Sequence, residues 1–267
     1  MYCPGGEATR RRSATRLSRW PPMSAHASPP TVSVLVCAYT ERRWPHLTQA
    51  IDSLRSQRRR PDEIVLVVDH DSSLLARADE AFPDVKVVPN VEPQGLSGSR
   101  NTGVHQSRGD IFVFLDDDAV ADVEWLSWLI EPFDDPLVLG TGGFSSPVWE
   151  APRPQWFPSE FLWTVGASWT GLPEQRARVR NPMGGTMAFR REAFVRVGGF
   201  SHGVGRIGHT HAGCEETEWA IRVQQAMPDP TFCTSRRRAS STTLRPTARR
   251  GATSCPGAGA KDGRRQS

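Results

Sequence analysis

Four short apolar runs, separated by helical patterns, place the strongest constraint on how this chain can fold. They read TVSVLVCAY (31–39), EIVLVVDHD (63–71), VKVVPN (85–90) and DIFVFLDDD (110–118). Each run is short and rich in β-branched residues, which is typical of a buried strand. Between the first two runs, Leu47, Ile51 and Leu54 recur at helical spacing. The alternation predicts an α/β fold with a doubly wound, mostly parallel sheet sandwiched by helices.

Two of the predicted strands end in acids, Asp69 to Asp71 and Asp116 to Asp118. Ligands of such sheets bind beyond the carboxyl ends of the strands, where both groups are expected to lie. Asp116 and Asp118 could hold Mg²⁺ or Mn²⁺ through one or two oxygens, with a substrate diphosphate and waters as the other ligands. The alternative is an acidic turn after a strand, without a metal.

The net charge of +4 does not indicate a nucleic-acid-binding protein, because the basic residues are concentrated at the two ends. Residues 1–30 hold five Arg and one acid, and residues 236–267 hold nine Lys plus Arg and one acid. The remaining 19 basic and 27 acidic residues give residues 31–235 a net charge of 19 − 27 = −8. The five cysteines form no CxxC pair, which favours a reduced, cytoplasmic setting. No apolar run approaches the roughly 20 residues of a membrane span, although peripheral contact with the inner membrane face stays open.

The second half of the chain contains three further features. Residues 145–182 are dense in Trp and Pro and lack clean periodicity, which fits a long loop or small subdomain lining a pocket, or ordinary irregular packing. Gly184 and Gly185 permit a turn or a close approach of the backbone. A predicted helix begins with Glu215, Glu216 and Glu218, and acids at a helix N-terminus are also favoured by the helix dipole alone.

Four motifs in order resemble the family-2 glycosyltransferases, which have the GT-A fold. The opening strand, helix and second strand (VSVLVCAYTERRWPHLTQAIDSLRSQRRRPDEIVLVVDHDS) are similar to the start of that family. The segment GLSGSRNTGVHQSRGDIFVFLDDDAV resembles its Arg-Asn-x-Gly, Gly-Asp and Asp-x-Asp pattern, and GGTMAFRREAFVRVGGF followed by EETE resembles its acceptor-side glycines and acidic base motif. The resemblance runs from Val32 to Pro228. It implies a nucleotide-sugar-binding half (31–144) and an acceptor-side half (145–232), between a disordered arm (1–30) and a disordered tail (233–267).

The resemblance implies a role for individual residues. Those expected to contact the nucleotide sugar are Cys37, Ala38, Tyr39, Glu41, Asp69, Arg100, Asp116, Asp117, Gly184 and Gly185. Asp69 would contact the base, usually uracil, and Arg100 would reach towards the nucleotide or its phosphates. Asp116 would face the ribose and, with Asp118, the metal, whereas Asp117 occupies the variable middle position and is expected to matter less.

The implied reaction is metal-dependent, inverting transfer of a sugar, of the hexosyltransferase type, from a nucleotide-sugar donor to an acceptor hydroxyl. A UDP-sugar is favoured as the donor, and the acceptor could be a glycan, a lipid carrier or a small molecule. Glu216 takes the position of the catalytic base, with Glu215 directly before it. The family usually has Asp there, so the choice between the two glutamates stays open.

The tail after Phe232 has almost no large apolar residues, which predicts a disordered basic segment. Codons for it can be chosen so that a neighbouring frame would encode aromatic residues and a histidine pair, similar to the family's continuation. A frameshifted or truncated C-terminus is therefore one hypothesis, and it would impair activity. The rival functions are a non-catalytic nucleotide-sugar-binding remnant and a nucleotidyltransferase, for which CAYTERRWP lacks the usual glycine-rich phosphate loop.

Overall fold

The computed structural model describes residues 29–149, 152–204, 213–227 and 229–235, together with the backbone of 242–244. Nearly all of the predicted N-terminal arm and most of the predicted tail lie outside these residues. The frameshift hypothesis concerns that tail, so it also lies outside the described residues. None of the helices within the described ranges is both long and apolar enough to cross a membrane.

The centre of the fold is a seven-stranded sheet with the order β3-β2-β1-β4-β8-β6-β9. Its strands are β1 (Val32–Ala38), β2 (Glu63–Val68), β3 (Lys86–Pro89), β4 (Ile111–Asp116), β6 (Val138–Gly142), β8 (Thr186–Arg190) and β9 (Thr231–Thr234). The first four strands run parallel, β8 runs antiparallel to both β4 and β6, and β9 is parallel to β6. A small second sheet joins β5 (Ala119–Val120), β10 (Thr242–Leu244) and β7 (Ser145–Pro147) in the order β5-β10-β7.

Helices cover both faces of the large sheet. They are α1 (Trp44–Arg55), α2 (Ser72–Ala81), α3 (Leu96–Gln106), α4 (Trp125–Ile130), α5 (Arg191–Val197) and α6 (Glu215–Ala226), with 3-10 turns at Glu41–Arg43, Glu131–Asp134 and Ser159–Val165. One core joins α1, α2 and α4 to β4 through Ile111, Val113 and Leu115. The other joins α5 and α6 to β4 through Phe112 and Phe114. Adjacent residues of β4 are thus buried in opposite cores, which confirms the predicted doubly wound α/β class.

Two segments differ from the pattern expected from their sequence. SGSRNTGVHQS was expected to be a loop entering a helix, but all of it except the C-cap Ser107 lies within α3. Small and polar residues fill this helix and most of them are buried, so no apolar stripe marks it. A Cβ on Gly103 would lie 2.4 Å from Leu35 Cδ2, and this glycine therefore lets α3 approach the sheet closely.

The acceptor-side half is not a separate layer, because β6 from the first half pairs with β8 and β9 from the second. The expected boundary after residue 232 falls within β9, where Cys233 is buried in the core. Between β7 and β8, the described part of the chain forms the 3-10 turn at Ser159–Val165, isolated β-bridges from Thr170 to Leu172 and from Arg178 to Cys233, and otherwise irregular backbone.

Candidate active site

The sheet register brings the predicted site residues together at one edge. Cys37 on β1 is the partner of Asp116 on β4, and the amide of Asp69 donates to the carbonyl oxygen of Ala38 at 2.8 Å. Because β1, β2 and β4 are parallel, their carboxyl ends open onto the same side, as predicted. Tyr39 follows β1 and is exposed, and Glu41 lies on the exposed 3-10 turn beyond it.

Asp69 is held by the protein through both carboxylate oxygens. Its Oδ1 accepts from Asn90 Nδ2 at 2.7 Å and its Oδ2 accepts from the Gly95 amide at 3.0 Å. Asn90 Oδ1 in turn accepts from Thr102 Oγ1 at 2.7 Å. The side chain expected to read the base therefore also fixes the segment that leads from β3 into α3.

The three acids after β4 lie in different environments. The side chain of Asp116 is 37% exposed and that of Asp118 is 18% exposed, whereas Asp117 is only 5% exposed. Burial raises the pKa of Asp117 to about 7, against the attraction of the Arg43 guanidinium. The middle acid is thus the buried one, and the outer two are open to a ligand at the sheet edge.

Arg100 on α3 connects the two halves of the site from a buried position. Its Nη2 donates to the Gly184 carbonyl oxygen at 2.9 Å and lies 3.5 Å from Asp116 Oδ1, and its Nη1 pairs with Glu215. Burial opposes its charge, but Glu215 and Asp116 raise the pKa of Arg100 overall. Desolvation also raises the pKa of the adjacent Cys37 thiol to about 12, which disfavours a thiolate there at neutral pH.

The three acids in the first turn of α6 differ in their hydrogen-bond and ion-pair partners. Glu215 is buried against Arg100, and Glu218 accepts from Arg222 Nε at 2.6 Å and from Ser201 Oγ at 2.8 Å. Glu216 is half-buried and has no arginine partner among the described residues. Burial, followed by repulsion from Glu215, raises the pKa of Glu216.

Gly184 lies between Arg100 and Glu216, and Gly185 leads directly from it into β8. A Cβ on Gly184 would lie 3.6 Å from Glu216 Oε2 and 3.7 Å from Arg100 Nη2. A side chain there would occupy the space in front of both groups. A close approach of the paired glycines to the donor sugar or acceptor stays a prediction.

Sequence reasoning missed Arg43, which lies beside the acidic strand end. Its Nη1 is 2.8 Å from Asp117 Oδ1 and 3.1 Å from Asp118 Oδ2. Nothing in ERRW distinguishes Arg43 from the exposed Arg42 before it. The only available signal was general, since three adjacent acids need a counter-charge from elsewhere in the chain.

The carboxylate oxygens at the sheet edge fit a hard divalent cation whose remaining ligands come from a substrate. Within the described ranges, no cluster of three or more His, Cys, Asp or Glu side chains is placed to hold a metal ion by itself. Asp116 and Asp118 nevertheless offer two partly exposed carboxylates at the sheet edge, and Mg²⁺ or Mn²⁺ commonly binds one or two carboxylates together with phosphate and water. These two residues would hold the ion.

Exposed aromatic side chains lie on the acceptor-side segment. Trp156, Phe161 and Trp163 are more than half exposed. Their segment is joined to β7 through hydrogen bonds between Ser145 and Ser168, and β7 belongs to the small sheet that contains β5. Since β5 begins directly after Asp118, the aromatic segment extends from the same edge as the acids.

Comparison with protein families and characterised proteins gives a consistent result. Residues 33–198 match the family model described as "Glycosyl transferase family 2". A glucosyl-dolichyl phosphate glucuronosyltransferase of Haloferax volcanii is 34% identical over 198 residues, covering 73% of this chain and 63% of that protein. The chain therefore spans less than two thirds of that relative's length. A polypeptide N-acetylgalactosaminyltransferase 5 of Mus musculus is 31% identical over 113 residues, covering 40% of this chain and 12% of that protein.

Solved structures share the fold at low sequence identity. GalNAc-T7, crystallised with UDP, GalNAc and Mn²⁺, has a TM-score of 0.60 at 20% identity, covering 82% of this chain and 45% of that one. The mannosyltransferase PcManGT of Pyrobaculum calidifontis, in complex with GDP-Man and Mn²⁺, has a TM-score of 0.54 at 22% identity, covering 78% and 57%. The GT-A-like architecture expected from the sequence is thereby confirmed.

Proposed function

The chain belongs to glycosyl transferase family 2, and we propose that it is a metal-dependent, inverting glycosyltransferase that moves a sugar from a nucleotide-sugar donor to an acceptor hydroxyl. One observation carries the proposal. Arg100 contacts the end of β4 through Asp116, the Gly184 carbonyl and the start of α6 through Glu215. It thereby brings the predicted diphosphate side and the predicted base into one site.

The donor would bind along the carboxyl edge of β1, β2 and β4. Cys37, Ala38 and Tyr39 would border the base and Asp69 would contact it. Asp116 would face the ribose, and Asp116 and Asp118 would hold Mg²⁺ or Mn²⁺. The ion would stabilise the negative charge of the leaving nucleoside diphosphate. A cytoplasmic location and peripheral membrane contact belong to the same proposal.

Glu216 is the proposed base, and the partners of its neighbours support this choice. The Arg100 pair occupies Glu215 and the Arg222 pair occupies Glu218, whereas Glu216 faces Gly184. A raised carboxylate pKa improves its match to a hydroxyl proton near neutral pH. A single base that activates the acceptor for in-line attack gives inversion at the anomeric carbon.

The comparisons suggest classes of donor and acceptor. Two similar structures contain UDP or GDP-Man with Mn²⁺, and we favour a UDP-sugar here. The name of the Haloferax volcanii relative specifies a glucosyl-dolichyl phosphate, which makes a lipid-linked sugar the first acceptor to try. Glycans and small molecules follow, and Trp156 and Trp163 offer faces on which a sugar ring could stack.

The proposal is tested first by thermal-shift screening of UDP- and GDP-sugars with Mn²⁺, and then by a transfer assay with the donor that binds. We expect Asp118→Ala to abolish metal-dependent nucleotide binding, whereas Asp134→Ala, at an exposed acid of the Glu131–Asp134 turn, should bind as the wild type does. Unchanged binding by Asp118→Ala would refute the site assignment. Binding of a nucleoside diphosphate without hydrolysis or transfer would support the non-catalytic alternative instead.

A further inference from the structure

Arg43 is the nearest described cation to two of the three acids after β4. One nitrogen, Nη1, makes both contacts, at 2.8 Å to Asp117 and 3.1 Å to Asp118. The guanidinium also lies 5.2 Å from the centre of the Tyr39 ring. Arg43 therefore connects the loop after β1 to the turn after β4, and both loops border the proposed donor site.

The two acids differ in how much they depend on Arg43. Asp117 is buried, and its second oxygen, Oδ2, accepts no hydrogen bond within the described part of the chain. Asp118 is more exposed and lies at the edge where the proposal places the metal. Losing Arg43 would leave a buried charge without compensation at Asp117, whereas water or a metal ion could replace it at Asp118.

We propose that Arg43 is a positioning residue that anchors Asp117 permanently and acts as the counter-cation of Asp118 until a divalent cation takes its place. This inference rests on the proposed metal-dependent function. In the metal-free protein, Arg43 keeps adjacent acids from repelling one another and holds the turn in position. When the ion binds Asp118, the Arg43–Asp118 contact breaks and the Arg43–Asp117 contact remains.

The proposal predicts that removing Arg43 strengthens metal binding, which a purely structural role would not do. Two positive charges about 4 Å apart repel each other enough, even in bulk water, to change an equilibrium constant about fivefold. A metal ion at Asp118 encounters this repulsion from a guanidinium 3.1 Å from the same carboxylate. Breaking the Arg43–Asp118 contact therefore costs free energy when Mn²⁺ binds, and this cost lowers the Mn²⁺ affinity of the wild type.

The sharpest variant is the double substitution Arg43→Met with Asp117→Asn. It removes one positive and one negative charge, so the local net charge is unchanged and no buried carboxylate is left unpaired. Free Mn²⁺ is titrated by electron paramagnetic resonance at a fixed concentration of UDP, with a UDP-only blank, because the proposed ion shares its ligands with a diphosphate. We expect the double variant to bind Mn²⁺ about fivefold more tightly than Asp117→Asn alone, because this comparison removes only the Arg43 charge. Arg42→Met, at the exposed neighbouring arginine, is the matched control and should stay within about twofold.

Thermal melting without metal tests the anchoring part. Arg43→Met alone should melt well below the wild type, and adding Asp117→Asn should restore most of the loss. Equal melting temperatures for the single and double variants would overturn the anchor, and so would a double variant that is less stable than the single one. Mn²⁺ binding by a folded double variant that is no tighter than that of Asp117→Asn would overturn the counter-cation role. If the wild type binds no Mn²⁺ even in the presence of UDP, the proposed metal site fails and the inference fails with it.

Discussion

Asp69–Asp71 and Asp116–Asp118 lie at the carboxyl ends of β2 and β4, but their charges are balanced in different ways. In the first group, Asp69 accepts from an amide side chain and a backbone amide, and Asp71 accepts from the Leu74 amide at the start of α2. In the second group, the described partners are the guanidinium groups of Arg43 and Arg100. The contacts of the first group come from uncharged donors that also build the fold, whereas those of the second group include cations on neighbouring segments.

Two adjacent acids of α6 also differ in how their charges are balanced. Glu215 is buried in an ion pair with Arg100, and Glu216 faces Gly184 without such a partner among the described residues. For this pair, the buried, ion-paired Glu215 is expected to stabilise the fold and the partly exposed Glu216 to perform chemistry. Substitutions that remove a carboxylate should therefore divide into losses of stability and losses of function.

The largest expected effect is on function, at Glu216. Glu216→Gln removes the proposed base, and we expect the rate of transfer to fall by about 10²- to 10⁴-fold while donor binding is retained. The measurement is kcat for transfer alongside the nucleotide affinity. Because the base acts when deprotonated, the raised pKa of Glu216 should also place the rise of wild-type kcat at a higher pH than for an ordinary glutamate. Retained transfer by Glu216→Gln would assign the base to another residue.

The sequence predicted the sheet and the acidic edge on which the candidate site lies, because buried strands and their terminal acids leave a local pattern. It left Glu215 and Glu216 unresolved, since their roles depend on Arg100, which lies more than 100 residues earlier. It also gave Asp117 a minor role, although this acid is the buried one that pairs with Arg43. Long-range ion pairs and the direction of each side chain after a strand are tertiary properties that no local spacing specifies.

The largest expected effect on stability is at Glu215. Glu215→Gln leaves the buried Arg100 without its closest charged partner, and breaking a buried ion pair costs about 3–5 kcal/mol. Urea unfolding measures the difference. Glu216→Gln is the matched control, because burial raises the pKa of Glu216 and an uncharged amide there should not destabilise the fold. Equal losses at the two positions would remove the distinction between them.

A smaller loss of stability is expected at Asp69. Asp69→Asn replaces one acceptor oxygen by a donor amide facing either Asn90 or the Gly95 amide, and a buried donor left without an acceptor costs about 1–3 kcal/mol. Asp71→Asn is the same substitution at a helix N-cap, where Asn and Asp are about equally good. Unfolding free energies that fall equally for both variants would show that Asp69 is no more structural than Asp71.

The smallest effect is expected at the N-cap of α2. Asp71 Oδ1 accepts from the Leu74 amide at 2.9 Å and from Ser73 Oγ at 2.8 Å, and Asp71→Ala should cost about 1 kcal/mol. The Leu74 hydrogen bond lowers the pKa of Asp71 in the folded protein. The stabilisation should therefore be complete at neutral pH and disappear as the pH falls through that lowered pKa, which urea unfolding of both proteins at several pH values would measure. Asp79→Ala, at an exposed acid of the same helix, should show no such loss, and a difference between wild type and Asp71→Ala that persists unchanged in acid would contradict the capping role.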